Sequence, residues 1–207
     1  MTTVRSANPD ERDQITHLIN IAFHDLDANR HLVPETPQRL AVMGRYFGLY
    51  VDHALGHGAC TEVALDDSGA LVGAALWYLS GDPGPADYDT RLGGLVGADR
   101  VDRFTAFDAQ LHEHTPDEPH DYLGFLAVAP DRQGAGIGGR LLREHHRRLD
   151  ARCRPAYLVA SNSNSARLYE RHGYTYLPDG QHELVLPGGG RMWRMWRRPD
   201  EQTPELK

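Results

Sequence analysis

The sequence predicts an α/β (α+β) fold in which a mixed central β-sheet of about seven strands has helices on both faces. Short apolar runs of strand length alternate with longer segments whose apolar residues recur at helical spacing. Clusters of glycine, proline and aspartate separate these segments and act as turn signals. In residues 122–149 an apolar strand leads into a glycine-rich turn and then a helix. The predicted element order is β-α-α-β-β-α-β-α-β-α-β-β.

The first elements are a short strand and two helices. Residues 2–6 have strand composition, and Asn8 followed by Pro9 is a helix start, because asparagine caps helices and proline suits their first turn. Residues 25–34 are polar and are predicted to be irregular. Residues 35–55 carry an apolar face at helical spacing and predict the second helix.

A hairpin and a third helical region come next. Residues 61–65 and 70–79 are predicted strands around the Asp-Asp-Ser-Gly turn at 66–69. Residues 81–85 contain two prolines and two glycines and predict a loop. Residues 89–114 predict a helical region with glycine interruptions.

The C-terminal part predicts alternating strands and one short helix. Residues 156–160 form a continuous apolar strand, and residues 164–172 a helix closed by glycine. Residues 174–186 predict one strand with a bend. Residues 192–196 predict the last strand, an edge strand in which arginine alternates with tryptophan and covers one face.

Composition limits the function classes. The 207 residues predict one domain over 1–198 and a polar, disordered tail over 199–207. The net charge of −7 and the scattered basic residues argue against nucleic acid as a partner. No membrane-length apolar run, signal peptide or disulfide framework is visible, so a cytoplasmic protein with Cys60 and Cys153 as ordinary core thiols is predicted, as a monomer or homodimer.

The turn after the central strand predicts a binding site for a pyrophosphate. Pro130 ends the strand, and the glycine-rich residues 133–139 precede a helix with apolar residues on one face. Unpaired backbone N–H groups at a helix N-terminus attract anions, and glycines let an anion approach the backbone.

Three phosphate-binding designs compete for this turn. A P-loop needs lysine and serine or threonine after the last glycine, but Arg140 and Leu141 stand there. Gly134, Gly136 and Gly139 satisfy the dinucleotide pattern G-x-G-x-x-G. That fold requires an acidic residue at the end of the next strand and a tighter turn, and the sequence has neither. The third design is an acyl-CoA cradle.

The chain resembles the GNAT N-acetyltransferases. Gln133, Gly136 and Gly138 fit the family pattern Gln/Arg-x-x-Gly-x-Gly/Ala after a strand that ends Val-x-Pro. Residues 161–174 resemble the family segment Asn-x-x-Ala-x-x-Leu-Tyr-x-x-x-Gly-Phe, with tyrosine in place of the final Phe. Scattered matches elsewhere resemble puromycin N-acetyltransferase-like members, but Leu26 replaces an aromatic residue in the acceptor loop, which favours a different amine.

The resemblance implies acetyl-CoA as co-substrate and two central strands that splay apart around its pantetheine arm. It implies that Tyr169 protonates the departing thiolate; the alternative is a tyrosine that only packs on its helix face. Asn162 and Asn164 would bind the pantetheine amides, or else cap a helix. The remaining implied cofactor-binding residues are Leu126, Ala127, Val128, Gln133, Gly134, Ala135, Gly136, Ile137, Gly138 and Gly139.

The acceptor amine must lose a proton before it attacks. His120, just before the central strand, is the first candidate base, and its alternative is an exposed loop histidine. His31 is the second candidate base, although a water relay could replace both. His31, Trp77 and Trp193 are predicted to line the acceptor site, the tryptophans being as compatible with core packing.

The predicted function is direct acetyl transfer from acetyl-CoA to a primary amine of a small molecule, such as an antibiotic or metabolite. The alternatives are a protein N-terminal or lysine acetyltransferase, or a non-catalytic acyl-CoA-binding protein. No metal is predicted, because the neighbouring histidines lack the i, i+4 spacing of a helical metal pair.

Overall fold

A computed structural model describes residues 2–56 and 60–200, and within them one mixed sheet of eight strands organises the chain. The strands are β1 Thr3–Ser6, β2 Cys60–Leu65, β3 Leu71–Leu79, β4 Asp121–Val128, β5 Ala156–Ala160, β6 Thr175–Tyr176, β7 Glu183–Val185 and β8 Arg191–Arg197. The sheet order is β1-β2-β3-β4-β5-β8-β6, and β7 also pairs with β8. All pairs are antiparallel except β4 with β5.

Helices cover both faces of the sheet, as the sequence predicts. They are α1 Arg12–Phe23, α2 Asp27–Leu32, α3 Thr36–Gly56, α4 Tyr88–Val96, α5 Val101–His112, α6 Ile137–Ala151 and α7 Ser163–Glu170. One apolar core joins the sheet to α1–α5, and a second joins its other face to α6 and α7. None of the helices described is both long and apolar enough to cross a membrane.

The C-terminal strands differ from the prediction. Residues 174–186 form two separate short strands, because a turn that includes Gly180, with φ +85°, interrupts them. Both strands pair with β8 on the side away from β5. The sheet therefore has eight strands, and β8 is an internal strand.

Two arginines of β8 are part of the interior, and β8 lies inside the sheet, so the prediction of an edge strand is wrong. Arg194 and Arg197 are 2% and 4% exposed. Arg194 donates hydrogen bonds to three backbone carbonyls, and Arg197 makes a bidentate ion pair with Asp150 at 2.8 and 2.9 Å. The buried guanidinium groups are tolerated here because their terminal Nη donors have acceptors, although Arg194 Nε has none among the described residues.

The segment predicted to be irregular contains a helix, so that prediction is also wrong. Ala28 and Leu32 of α2 are buried, and the Asn29 side chain donates to the Phe23 carbonyl at 2.8 Å. These contacts are tertiary, which is why the local polar composition did not indicate them. The third helical region is divided into α4 and α5 at Gly97, whose φ is +92°.

The sheet opens between its two parallel strands. β4 and β5 pair only at Asp121–Ala156, Tyr122–Tyr157 and Leu123–Leu158. Beyond Leu123, β4 continues to Val128 with β3 as its partner, whereas no further pair joins it to β5. We call this point, where β4 and β5 part after Leu123, the fork. It provides the splayed strands that the resemblance implied.

Candidate active site

A cavity of about 280 Å³ opens at the fork. Tyrosine and phenylalanine side chains from α1, α3, β4 and α5 make up much of its wall, and Tyr169 lies on the α7 side. Polar side chains interrupt this wall and include His53, Asp108 and His120. An apolar cavity with a few convergent polar groups is the usual form of a small-molecule site. We call it the aromatic cavity.

Tyr169 lies in the wall of the aromatic cavity, with 7% of its surface exposed. Its ring packs edge-on against Tyr174, with centroids 5.7 Å apart. Burial raises the pKa of Tyr169, so the phenol keeps its proton at neutral pH. The described residues offer its hydroxyl no hydrogen-bond partner, so the group is available to a ligand.

His120 is buried rather than an exposed loop residue, and it too lies in the wall of the aromatic cavity. Its Nδ1 lies 2.7 Å from the Glu118 carbonyl oxygen, which can only accept, so the hydrogen is assigned to Nδ1 and Nε2 carries the lone pair. Burial lowers the pKa of His120, with Arg154 acting in the same direction. The imidazole is therefore neutral near pH 7 and can accept a proton.

The glycine loop, residues 133–139, has the backbone conformation that the sequence predicts. Gly134 and Gly136 have φ of +80° and +79°, which residues with a side chain rarely adopt, and no atom lies near their missing Cβ positions. The first hydrogen bond of α6 runs from Arg140 N–H to the Gly136 carbonyl. The N–H groups of Ile137, Gly138 and Gly139 therefore have no acceptor within the helix.

The two sequence motifs meet in space. A Cβ on Gly138 would lie 3.4 Å from Leu168 of α7 and 3.7 Å from both Leu126 and Val128 of β4. Leu126 also lines the aromatic cavity, whereas Ala127 points into the core with 1% exposure. The loop, the β4 edge and α7 thus adjoin one another at the mouth of the fork.

Gln133 and Ala135 lie on the surface of the glycine loop. The Gln133 side chain donates to the Val128 carbonyl at 3.3 Å, which ties the start of the loop to the end of β4. Ala135 N–H reaches the Arg132 carbonyl at 3.4 Å. In this geometry Gln133 supports the loop rather than projecting into the cavity.

Asn162 has the capping role that stood as its alternative, whereas Asn164 bonds another side chain of the same helix. Asn162 is the N-cap of α7, and its side-chain oxygen accepts from the Ser165 N–H at 2.9 Å. Asn164 is exposed and its oxygen accepts from Arg167. Ser161 and Ser165 line the aromatic cavity instead. The Ser165 hydroxyl already bonds the Asn162 backbone N–H and carbonyl, so Ser161, which the sequence analysis did not single out, is better placed toward a ligand.

The three residues predicted to bind the acceptor lie away from the aromatic cavity. Trp77 is 1% exposed in the core on the α6 side of the sheet, where it stacks on His145 with ring centroids 4.0 Å apart. Trp193 packs against the same core. His31 is absent from the cavity wall. The two tryptophans have packing roles in this core, and the assignment of all three residues to the acceptor stays a prediction.

Two groups in the cavity wall were missed by the sequence analysis. His53 Nε2 of α3 lies 2.6 Å from the Asp82 carboxylate, and both side chains line the aromatic cavity. Asp108 of α5 accepts hydrogen bonds from Tyr46, at 2.8 Å, and from Tyr88. Each partner lies more than 15 residues away, and packing of α3, α4, α5 and the loop after β3 brings the partners together.

The cysteines and the nearby metal-ligand types lie outside this cavity. Cys153 is exposed, so the prediction of a core thiol is wrong for it, and burial raises the pKa of Cys60. Cys60, Glu62 and His145 bring their ligand atoms within 4.8 Å of one another. Arg148 already forms an ion pair with the Glu62 carboxylate, which disfavours a second cation there.

A family model described as an acetyltransferase (GNAT) domain matches residues 86–176, which include the fork, the glycine loop and α7. Residues 86–176 of this chain are therefore similar to a GNAT acetyltransferase domain. The match spans both motifs on which the resemblance was based, and it confirms the predicted enzyme class. The likeness to puromycin-modifying members stays a prediction.

Solved structures agree with the GNAT assignment. A Corynebacterium glutamicum protein described as histone acetyltransferase HPA2 and related acetyltransferase is 25% identical, with a TM-score of 0.74 and 98% of each chain covered. A Sinorhizobium meliloti phosphinothricin acetyltransferase in complex with AcCoA is 18% identical, with a TM-score of 0.56, covering 98% of this chain and 90% of the other. An arylalkylamine N-acetyltransferase 2 from Aedes aegypti is 14% identical, with a TM-score of 0.61, covering 95% and 98%. The last two show a shared fold.

Proposed function

We propose that this GNAT acetyltransferase moves the acetyl group of acetyl-CoA to a primary amine of a small molecule. The observation that carries the proposal is the meeting of two features at the fork. The glycine loop and the β4 edge provide a place for a pyrophosphate and an extended arm. The aromatic cavity provides a confined place for an acceptor.

Acetyl-CoA binding rests on the backbone of the glycine loop. The unpaired N–H groups at the start of α6 point toward the same anion-binding space, and the helix dipole adds positive potential there. The pantetheine arm would run along the unpaired edge of β4 at Leu126, Ala127 and Val128, past Ser161 and Ser165. The AcCoA complex of the Sinorhizobium meliloti neighbour supports this choice of co-substrate.

The reaction is a direct acyl transfer. A base removes one proton from the bound ammonium, and the free amine attacks the thioester carbonyl carbon. A C–N bond forms, the C–S bond breaks, and the nitrogen loses its second proton to solvent. The Leu126 backbone N–H is the proposed donor to the carbonyl oxygen as negative charge develops on it.

Tyr169 and His120 have protonation states that suit the two proton transfers. Burial keeps Tyr169 protonated, so it can give its proton to the departing thiolate and later regain one from solvent. Burial keeps His120 neutral, with its Nε2 lone pair unassigned to any described group, so it can accept the ammonium proton. The His53–Asp82 pair is the alternative base, because a carboxylate orients its imidazole.

The shape of the site favours a small acceptor over a peptide. A volume of about 280 Å³ matches the lower end of small-molecule sites and is too small for an extended peptide of several residues. A protein N-terminus or lysine side chain could still enter end-on, so protein acetylation is the second candidate.

A thiol-release assay tests the proposal. Acetyl-CoA is incubated with the enzyme and one amine at a time, and free CoA thiol is measured; the panel holds small primary amines, amino acids and lysine-containing peptides. We expect release with small amines that carry an apolar body. Release with peptides alone would establish the second candidate, and tight CoA binding with no release in any sample would contradict acetyl transfer to these amine classes.

A further inference from the structure

Asp108 is a half-buried carboxylate. Burial raises the pKa of Asp108, whereas the hydrogen bonds from Tyr88 and Tyr46 and the nearby His112 lower it. Asp108 projects from α5 into the wall of the aromatic cavity, and no ion pair joins it to a lysine, arginine or histidine side chain among residues 2–56 and 60–200. His112 contacts the Asp108 backbone carbonyl through Nδ1 at 2.7 Å, not the carboxylate. A carboxylate in the wall of an apolar cavity with no ion-pair partner calls for a physical explanation.

Phenol groups surround the carboxylate. The Tyr46 hydroxyl donates to Oδ1 at 2.8 Å and the Tyr88 hydroxyl donates to Oδ2. The Tyr50 hydroxyl lies 3.4 Å from that of Tyr46, and both residues line the aromatic cavity. Each carboxylate oxygen has a second lone pair beyond the bond it accepts, so a further donor can bind.

Aromatic rings enclose the space beside this group. Tyr50 lies 5.2 Å from Tyr46, 5.7 Å from Phe125 and 6.1 Å from Tyr88 between ring centroids. Ring faces attract cations, and a water-poor wall strengthens the attraction between a carboxylate and a positive charge. An anion with aromatic walls is the arrangement that recognises an organic ammonium.

The carboxylate shares its cavity with the proposed acid. Asp108 and Tyr169 both raise the pKa of Tyr122, a residue of β4 at the closed side of the fork. Both side chains line the aromatic cavity. An ammonium group bound at Asp108 therefore lies in the same cavity as the proposed acid.

We propose that Asp108 is the binding site for the positive charge of the acceptor, which is an organic monocation with an apolar body of aromatic size. This inference rests on the proposed function, and it narrows the amine to a class. Tyr46 and Tyr88 orient the carboxylate, and the Tyr50 and Phe125 rings cover the apolar body. Acceptors with an additional carboxylate next to the amine are disfavoured, since their negative charge would lie against Asp108.

Binding of a cation that cannot be acetylated tests the site without turnover. The probe is phenylethyltrimethylammonium, and 3-phenylpropanol is its uncharged counterpart; affinity is measured by calorimetry in the absence of acetyl-CoA. We expect the wild-type protein to bind the cation at least tenfold more tightly, because charge-assisted contacts are among the strong ones. Equal affinity for the two probes would overturn the proposal.

A variant assigns the effect to the carboxylate. Asp108→Asn keeps the shape and one acceptor oxygen but removes the charge, and we expect it to lose about 10- to 100-fold in affinity for the cation and little for the alcohol. Asp102→Asn is the matched control, because Asp102 is an exposed carboxylate on the same helix. Unchanged cation affinity in a folded Asp108→Asn variant would contradict the site. The wild-type comparison of the two probes remains decisive if that variant does not fold.

The two proposals fail in different ways. Charge-selective binding that depends on Asp108, together with no thiol release from any amine, would refute the small-molecule acetyltransferase and leave a cation site. Thiol release from apolar amines that Asp108→Asn does not alter would refute the cation site and leave the acetyltransferase.

Discussion

Tyr169 is the side chain whose proposed role depends on a single atom. Replacing it with phenylalanine preserves the ring contact with Tyr174 and removes only the hydroxyl. We expect Tyr169→Phe to lower kcat about 10² to 10⁴-fold, the usual contribution of a positioned acid, with little change in the KM for acetyl-CoA. Steady-state thiol release measures both constants. Tyr176→Phe is the control, since Tyr176 is 41% exposed. Unchanged kcat in Tyr169→Phe would leave Tyr169 as a packing residue.

His120 predicts a feature of the pH profile. Burial lowers the pKa of His120 below its ordinary value near 6.5, so the neutral base is present above that lowered pKa and is lost as the pH falls through it. We expect kcat/KM to fall on the acid side below about pH 6.5, and His120→Gln to remove that limb and lower the plateau.

The His53→Gln variant provides the comparison for the pH profile of kcat/KM. His53→Gln alters the other imidazole in the cavity wall, which contacts Asp82. If His120→Gln retains the acid limb and His53→Gln loses it, the base is His53 and the assignment to His120 is refuted.

Residue identities alone could not decide which side chains face the site. β3 is apolar along nearly its whole length, because both of its faces are covered, so the alternation that distinguishes core from solvent does not show which side Trp77 takes. The partners of Asp108 and His53 come from other elements, and no local pattern pairs them. In contrast, the left-handed conformations at Gly134 and Gly136 were predictable because glycine is the residue that adopts them readily.

At the scale of elements, the packing of α6 against β3 determines where the glycine loop lies. Gly73 of β3 has no room for a side chain, since a Cβ there would lie 2.8 Å from Ile137, 3.1 Å from Leu141 and 3.2 Å from Ala64. Gly73→Val must push the first turn of α6 away from β3. We expect the KM for acetyl-CoA to rise several-fold, more than kcat falls, and stability to decrease by about 1–3 kcal/mol, as in other overpacked cores.

The control for this displacement is Gly94→Ala in α4, where no atom lies within 4 Å of the added Cβ. Alanine there should leave KM unchanged and stabilise the protein by about 0.5–1 kcal/mol, because alanine favours helix. A KM for acetyl-CoA that stays at the wild-type value in Gly73→Val would mean that the position of α6 does not govern cofactor binding.

Elements with strong local signals were predicted well, and the failures have a common cause. The strand at 156–160 and the helix after the glycine loop come from an uninterrupted apolar run and from helical spacing, both local properties. α2 and the interior position of β8 depend on contacts with distant parts of the chain, such as the Asn29 bond to Phe23 and the Arg197 ion pair with Asp150. A single sequence does not display such contacts.

At the scale of the whole molecule, buried histidines predict how stability depends on pH. Burial lowers the pKa of His146 to about 3, with Arg197 adding to the effect, and its Nε2 contacts the Tyr174 hydroxyl at 3.1 Å. The unfolded chain takes up a proton at this histidine below about pH 6.5 and the folded chain does not. The stabilising contribution is therefore complete above about pH 6.5 and is lost as the pH falls from there toward 3.

Well below pH 6.5, this linkage lowers the free energy of unfolding by about 1.4 kcal/mol for each pH unit of acidification. Between pH 7.5 and pH 5, the folded state should therefore lose roughly 2 kcal/mol of stability from His146 alone. Urea unfolding at the two pH values measures the loss. His146→Gln keeps a polar partner for Tyr174 but does not titrate, so we expect it to show a loss smaller by about that amount. His17→Gln, at an exposed position, should behave as the wild type.

Carboxylates with lowered pKa, such as Asp121 and Asp150, destabilise the fold only below about pH 4, so they do not contribute between pH 7.5 and pH 5. A wild-type loss that His146→Gln fails to reduce would show that the other histidines, among them His120 and His172, carry the acid sensitivity.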